Sequence, residues 1–399
     1  MRRFLKLFRW YYFFGLVTVF LVLVAVQQLA LRIDFLNPFE QALSDYNATD
    51  VAFQIRPPQP VDTSIVLVNI GDLARIDIAR QILILNHFGP RVLGVDVEFR
   101  NEIDPPTDSL LEAAFAQAHN LVLFSKLERG RKLADSTEVW DSLRRVLPRF
   151  AQHGASGFTN ALTEGETPFE TWRETSAQEQ MASGWVERSF ATQVAGQYDS
   201  TLAKKFFTRQ RTSEIINFRG NSDKFVKLDV DDVLDTLFTP ETIRDKIVIM
   251  CYLGANYNAL TWDDDKFYTP LNPKQIGRTA PDMFGGVIHA NIVSMILHQD
   301  YIDEVPEWIS LIIAVILGYL NIALFAKIDE SERYGLWYDL ITKFIQLAET
   351  VLLTYLVIVL FANYNLKVDL TYSIFVIVLS GDVFEIYATL VRNLKWRKK

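Results

Sequence analysis

The sequence predicts an α/β extracytoplasmic domain, with a mixed or mostly parallel sheet carrying helices on its faces, joined to four transmembrane α-helices. Three observations lead there. Apolar runs at 10–31, 308–326, 344–362 and 370–391 reach the length of about 20 residues that a helix rising about 1.5 Å per residue needs to cross a bilayer. Between the first two runs, short β-branched apolar stretches alternate with segments of helical periodicity. The same interval is acidic: 27 of the 40 Lys and Arg and 40 of the 48 Asp and Glu fall within 32–307, a net charge of −13. Such a surface repels nucleic acid and anionic headgroups and excludes both as its partners.

The first run follows a leader, 1–9, that carries Arg2, Arg3, Lys6 and Arg9. A cleaved signal peptide is the competing reading, but the apolar run is too long for one and Gln27-Gln28-Leu29-Ala30 is a poor cleavage site, so an uncleaved anchor is expected. Basic residues near span ends stay cytoplasmic, and the tail 392–399 carries five of them. Both termini are then inside, 327–343 is a cytoplasmic loop, 363–369 an outer turn, and 32–307 lies outside.

Within 32–307, residues 34–52 read as a membrane-proximal helix, and Pro57-Pro58-Gln59-Pro60 fixes an extended connection. The unbroken run Ile65-Val66-Leu67-Val68-Asn69-Ile70, ending at Gly71-Asp72, predicts a buried strand. Ile76, Ala79, Ile82, Leu83 and Leu85 keep helical spacing up to the stop signal Gly89-Pro90, and 92–97 is a second buried strand, making a βαβ unit with parallel strands. Thr107-Asp108-Ser109, with Glu112 three residues beyond, marks a helix whose apolar face is Leu110, Leu111, Ala114, Phe115 and Ala118. Leu121-Val122-Leu123-Phe124 supplies a third strand. From 126 to 210 the periodicity degrades, which predicts long insertions on the core with one helix over 190–195. Further strands are expected at 215–218 and 247–253, a helix start at Thr239-Pro240-Glu241, and a last helix over 287–298. The single cysteine, Cys251, falls in an apolar run as a small core hydrophobe, so no internal disulfide is available.

Asp264-Asp265-Lys266-Phe267-Tyr268-Thr269-Pro270-Leu271, Gly285-Gly286-Val287-Ile288-His289-Ala290-Asn291-Ile292, Phe218-Arg219-Gly220, Asp245-Lys246-Ile247-Val248-Ile249 and Val92-Leu93-Gly94-Val95-Asp96-Val97 resemble the type-two CHASE domain, over about 35–308. The resemblance implies an extracellular sensor of the kind carried by bacterial transmembrane cyclases, histidine kinases and serine/threonine kinases, with the aromatic-Thr-Pro-Leu stretch in a structural role. It also implies a bacterial inner (cytoplasmic) membrane location, with the large domain in the periplasm or outside. Receptors of that kind carry a kinase or cyclase after the last span. Here the cytoplasmic segments are too short for one, and no nucleophile elbow, Walker loop, kinase or cyclase signature, or phospho-accepting histidine box is present.

In open α/β sheets the ligand crevice lies beyond the carboxyl ends of the strands. Asp96 and Glu98 are two apart and share a face in extended chain; with Asp72 they would form an acidic pocket for a cation or amine, and Arg219 would hold a carboxylate. The alternative is that these acids cap helices or pair with arginines such as Arg100. Asp263-Asp264-Asp265 lacks the glycine and downstream glutamate of a calcium loop and reads as a solvated turn. His289, among apolar neighbours, reads as a core residue, and the other histidines lack metal spacing, so neither a metal nor another cofactor is expected. In the spans, Glu349, Asp382 and Glu385 sit in the inner half of the bilayer, Asp382 roughly 13 Å from the inner end. They either snorkel or pair with Lys327 or Lys343, or else dock a basic residue of a partner's span.

The expected function is therefore a non-enzymatic, bilayer-embedded receptor that binds a small molecule or an envelope protein and signals through a separate effector chain. The competing expectation is a ligand-free structural or assembly subunit of an envelope complex.

Overall fold

The computed structural model describes residues 10–30, 48–132, 138–161, 171–255, 265–272, 280–331 and 333–396. They form two compact units, 57–302 on one hand and 1–56 with 303–399 on the other.

The unit 57–302 is built on a seven-stranded sheet. Its strands are β1 (Asp62–Asn69), β2 (Val92–Val95), β3 (Leu121–Lys132), β4 (Glu138–Arg145), β5 (Ala155–Phe158), β6 (Phe225–Leu228) and β7 (Ile247–Cys251). They lie in the order β6-β1-β7-β2-β3-β4, with β5 also on β3. Every pairing is parallel except β3 with β4. The sheet is thus mixed and mostly parallel, and its central strands are apolar throughout because both faces are covered.

Two amphipathic helices, α3 (Arg75–His87) and α4 (Pro105–Ala116), cover one face. Ile78, Ile82, Leu111 and Phe115 pack with Val66, Val68, Leu93, Val95, Val248 and Met250. Strand alternation sends Ile65, Leu67, Ile249 and Cys251 to the opposite face, where all are fully buried. There α5 (Phe190–Tyr198) and α7 (Gly285–His298) pack closely, with α6 (Ser200–Thr208) beside them. Close approach needs missing side chains: a Cβ on Gly94 would lie 2.9 Å from the Phe190 ring, and one on Gly286 only 2.2 Å from Cys251 Sγ.

Several expectations are corrected. β1 and β2 are parallel as expected, but β7, about 150 residues after β2, inserts between them through Ile65↔Ile247 and Ile247↔Val92. The stretch expected as insertion on the core instead extends the sheet through the rest of β3, β4 and β5. The expected strand at 215–218 reduces to Glu214–Ile215, which pairs with Glu174–Thr175 outside the main sheet. The edge is taken by β6, whose short half-polar sequence gave no strand signal. Helix α4 starts earlier than expected, at a cap in which Asp104 accepts from Thr107 N at 3.0 Å, while Asp108 is buried and bonded to Arg75 at 2.5 Å. Thr239 precedes the one-turn helix Pro240–Ile243 without a side-chain cap bond. Most of the expected 34–52 helix lies outside the described residues; Ala48–Ile55, here α2, is helical.

The other unit is helical: α1 (Trp10–Ala30), α2, α8 (Glu307–Asp329), α9 (Tyr338–Tyr364) and α10 (Thr371–Trp396). Three helices, over Glu307–Asp329, Gly335–Tyr364 and Thr371–Asn393, are long and apolar enough to cross a membrane, whereas the apolar stretch of α1 among the described residues, Trp10–Val26, is shorter. Tyr12, Leu16, Ala314, Ile322, Val376 and Phe384 interlock as its core, and Gly318 lets α8 approach so closely that a Cβ would meet Val376 at 2.5 Å. At the end of α9, Arg56 donates to Phe361 O at 2.9 Å and to Asn365 Oδ1 at 2.8 Å, with its guanidinium over the Phe53 and Phe361 rings. Beyond the same helix, Leu366–Lys367 pairs in parallel with Asp303–Glu304, and Lys367 bonds Glu304 at 2.8 Å.

Candidate functional site

The parallel strands β1, β7, β2, β3 and β5 end on one edge of the sheet, and a cavity of about 460 Å³ lies there. That is within the range of about 300–1,000 Å³ typical of small-molecule pockets. Asp96 follows β2, with its N–H held by Met250 O at 2.9 Å, so the acid emerges where the ladder stops. Glu98 is two residues on and Phe124 and Lys126 come from β3, while Thr159 and Asn160 follow β5. Asn160 is committed to the scaffold: its Oδ1 accepts from Leu127 N at 2.7 Å and its Nδ2 donates to Leu127 O at 3.0 Å.

The far wall is the aromatic-Thr-Pro-Leu segment. Lys266–Phe267 pairs antiparallel with Met283–Phe284, and Thr269 bonds Asp282 through Oγ1 at 2.6 Å and N at 2.8 Å. This small ladder leads directly into α7. The Gly285 N–H reaches Asp265 O at 3.1 Å, and a Cβ there would meet the Phe267 ring at 3.2 Å. The glycine therefore keeps Asp265 and Phe267 seated against the start of α7. One turn along, His289 is 3% exposed, with its ring edge-on to Trp172 at 5.6 Å and tilted against Phe190 at 5.3 Å. Its Nε2 lies 3.9 Å from Asp96 Oδ2, and its Nδ1 is buried with no hydrogen-bond partner.

Burial governs the protonation of these groups. It pushes Asp96 up to about 8, with the Asp265 charge adding to the effect. Asp265 rises to about 7, again through burial, against the pull of Lys126. Burial lowers His289 to about 4, against the Thr159 main chain, so its imidazole is neutral near pH 7. Cys251 is raised well above its ordinary value by burial and by Asp96 and Asp265, and it lies sealed under Gly286. Two acids that resist ionisation, a neutral imidazole and an aromatic wall of Trp172, Phe267, Phe124 and Tyr252 thus share one cavity. Such an arrangement rewards a cation that stabilises the carboxylates. Among the described residues, no group of three His, Cys, Asp or Glu stands close enough to hold a metal ion.

Of the expected ligand residues, Asp96 and Glu98 line this cavity and Asp72 and Arg219 do not. Glu98 lies 3.2 Å from Arg144 rather than pairing with Arg100. Asp72 is exposed beyond Gly71. Arg219 follows no strand of the main sheet and sits by the start of β1, where it donates to Pro60 O at 3.1 Å and to Ser294 Oγ at 2.9 Å. Asn291 holds its main chain by accepting from Arg219 N at 2.8 Å and donating to Gly220 O at 2.9 Å, which accounts for the Phe-Arg-Gly and Gly-Gly…His-Ala-Asn segments as one structural joint. Sequence reasoning missed Asp265, which belongs to the cavity rather than to a solvated turn; Asp263 and Asp264 lie outside the described residues. It also read His289 as core alone, although the ring forms part of the lining.

The membrane acids are partnered within the chain in two cases of three. Lys343 Nζ bonds both Asp382 oxygens at 2.6 Å, and Asn321 Nδ2 donates to Glu349 Oε2 at 2.7 Å. Of the alternatives expected for Asp382, pairing with Lys343 is the one observed: Lys343 begins near the helix end, but its long stem spans the gap. Glu385 is exposed, with no basic partner among the described residues.

The CHASE2 domain family model matches residues 17–323. No curated protein sequence and no solved structure matches the chain.

Proposed function

The chain belongs to the CHASE2 family of sensory domains, and on that premise we propose that it is a membrane-anchored sensor that binds a small extracytoplasmic ligand, does not chemically convert it, and passes the signal to a separate effector protein. The observation that carries this reading is the cavity at the carboxyl edge of the sheet, where the partly buried Asp96 and Asp265 share a lining with the buried His289, whose Nδ1 is unsatisfied. A fold with no ligand to bind gains nothing from that arrangement, since buried polar groups without partners cost stability. In the proposed topology α1 is a fourth span, both termini are cytoplasmic, 32–307 is periplasmic and 327–343 faces the cytoplasm, as the basic residues at the span ends favour. Glu385 is then the acid from which a partner's basic residue is reached. Cross-linking in native membranes followed by mass spectrometry tests the proposal. A kinase, cyclase or regulator as the dominant stoichiometric companion is the expected result. Recovery of envelope structural proteins alone would replace the sensor with an assembly subunit.

A further inference from the structure

We propose that the crevice at the carboxyl edge of the sheet recognises a small organic cation, a protonated amine carrying an apolar or aromatic body, with its charge seated between Asp96 and Asp265 and its body against Trp172 and Phe267. The inference rests on the sensor reading and names the ligand class of that site.

Several features converge on a cation. Asp96 and Asp265 line the same cavity, and among the described residues no arginine lines it beside them. Lys126, the only basic side chain among the lining residues, is exposed. Glu98 is already turned to Arg144. His289 Nδ1 supplies a buried polar atom without a partner. An anion entering this space would meet two carboxyls and a neutral imidazole, and a neutral apolar molecule would leave all three unsatisfied. The wall favours an organic cation over a metal ion. Trp172 and Phe267 meet at 5.1 Å and 73°, which presents both ring faces and edges, and aromatic faces attract ammonium groups most when water is excluded. Among the described residues no group of three His, Cys, Asp or Glu stands close enough to supply the several oxygens a hard metal demands, whereas one ammonium needs only the two carboxyls.

Burial raises both carboxyls in the empty crevice, Asp96 to about 8 and Asp265 to about 7, and a bound ammonium favours them ionised. Binding is therefore linked to proton release. Below the carboxyl values, affinity rises by up to about tenfold per pH unit for each proton displaced.

The test uses the full chain in detergent micelles with three probes of one shape and different charge: phenethylamine, phenethyl alcohol and hydrocinnamate. Saturation-transfer NMR and calorimetry are run from pH 6 to pH 8. Phenethylamine is expected to bind, with affinity rising toward pH 8 and protons released to buffer, while the alcohol and the acid bind at least tenfold more weakly. Asp96→Asn and Asp265→Asn are expected to remove that preference, and Asp72→Asn, on the exposed side of Gly71, to keep it. Thermal unfolding of each variant separates lost binding from lost folding. Preference for hydrocinnamate, amine binding unchanged in both cavity variants, or no binding of any probe would overturn the assignment. The sensor reading is tested independently by the cross-linking result, so either can fail without the other.

Discussion

Asp96, Asp265 and His289 give the unit 57–302 a stability that depends on pH in two opposed ways. Asp96 faces His289, Asp265 and Cys251; Asp265 also faces Lys126; His289 faces Asp96 and the Thr159 main chain. The two carboxyls have folded values near 8 and 7, above their ordinary 3.8, so the folded state binds more protons than the unfolded one and their contribution is lost as pH rises through those values. His289, lowered from 6.5 to about 4, acts oppositely, and its contribution is lost as pH falls across that interval. Between pH 6.5 and about 8 only the carboxyls act, so the melting temperature of this unit should fall as pH rises there, and Asp96→Asn with Asp265→Asn should flatten the slope. A flat wild-type profile would show that the carboxyls are solvated. At this scale the sequence was legible where spacing carries meaning: Asp96 and Glu98, two apart after an apolar strand, do reach one cavity. Asp265 was hidden because three consecutive acids read as solvent-loving, and what buries it is a glycine-started helix twenty residues later. Arg219 was misplaced because Ile-Ile-Asn-Phe has strand composition without a strand's partner in the main sheet.

At the scale of elements, buried strands and amphipathic helices announced themselves through apolar runs and 3.6-residue spacing, and most lie within a few residues of where those patterns put them. What the pattern could not reveal was order. β7 slots between β1 and β2 because a parallel sheet leaves room for any strand with two apolar faces, and nothing local records which one arrives. The 126–210 region was obscure for the complementary reason: β3 changes partners along its length, parallel to β2 and β5 over 121–125 and antiparallel to β4 beyond, so its outer half is solvated and alternates weakly. Among the spans, the α9–α10 ion pair makes a specific demand. A lone charge in hydrocarbon costs about 2.5–3.5 kcal/mol on insertion scales. Lys343→Met should therefore lower the membrane-fraction yield by stranding Asp382, and Asp382→Asn added to it should restore the yield. Equal yields for all three proteins would mean that each side chain reaches water by itself.

For the whole molecule, the order of apolar runs and the acidic interval between them identified a membrane protein with a large α/β unit, because composition alone separates lipid-facing from water-facing chain. The disposition across the bilayer follows from the proposed topology and is open to labelling. Cys251 is the sole native thiol and is buried, so background reaction is low. A cysteine at Asp223, whose side chain is 65% exposed, should react with an impermeant maleimide on intact cells, and one at Ser331 only after permeabilisation. Reaction at Ser331 from outside would overturn the orientation.

The mooring of Arg56 and of the Asp303–Glu304 ladder has a mechanical corollary. The chain leaves the helical unit once before Pro57 and returns once at Asp303, and both crossings are fastened to the same short stretch, Phe361 to Lys367, at the turn between α9 and α10. Both fastenings share one address. The rigid prolines after Arg56 shorten the slack on the outgoing side. Within the helical unit, the turn between α9 and α10 is thus the one place where both ends of the chain flanking 57–302 are held.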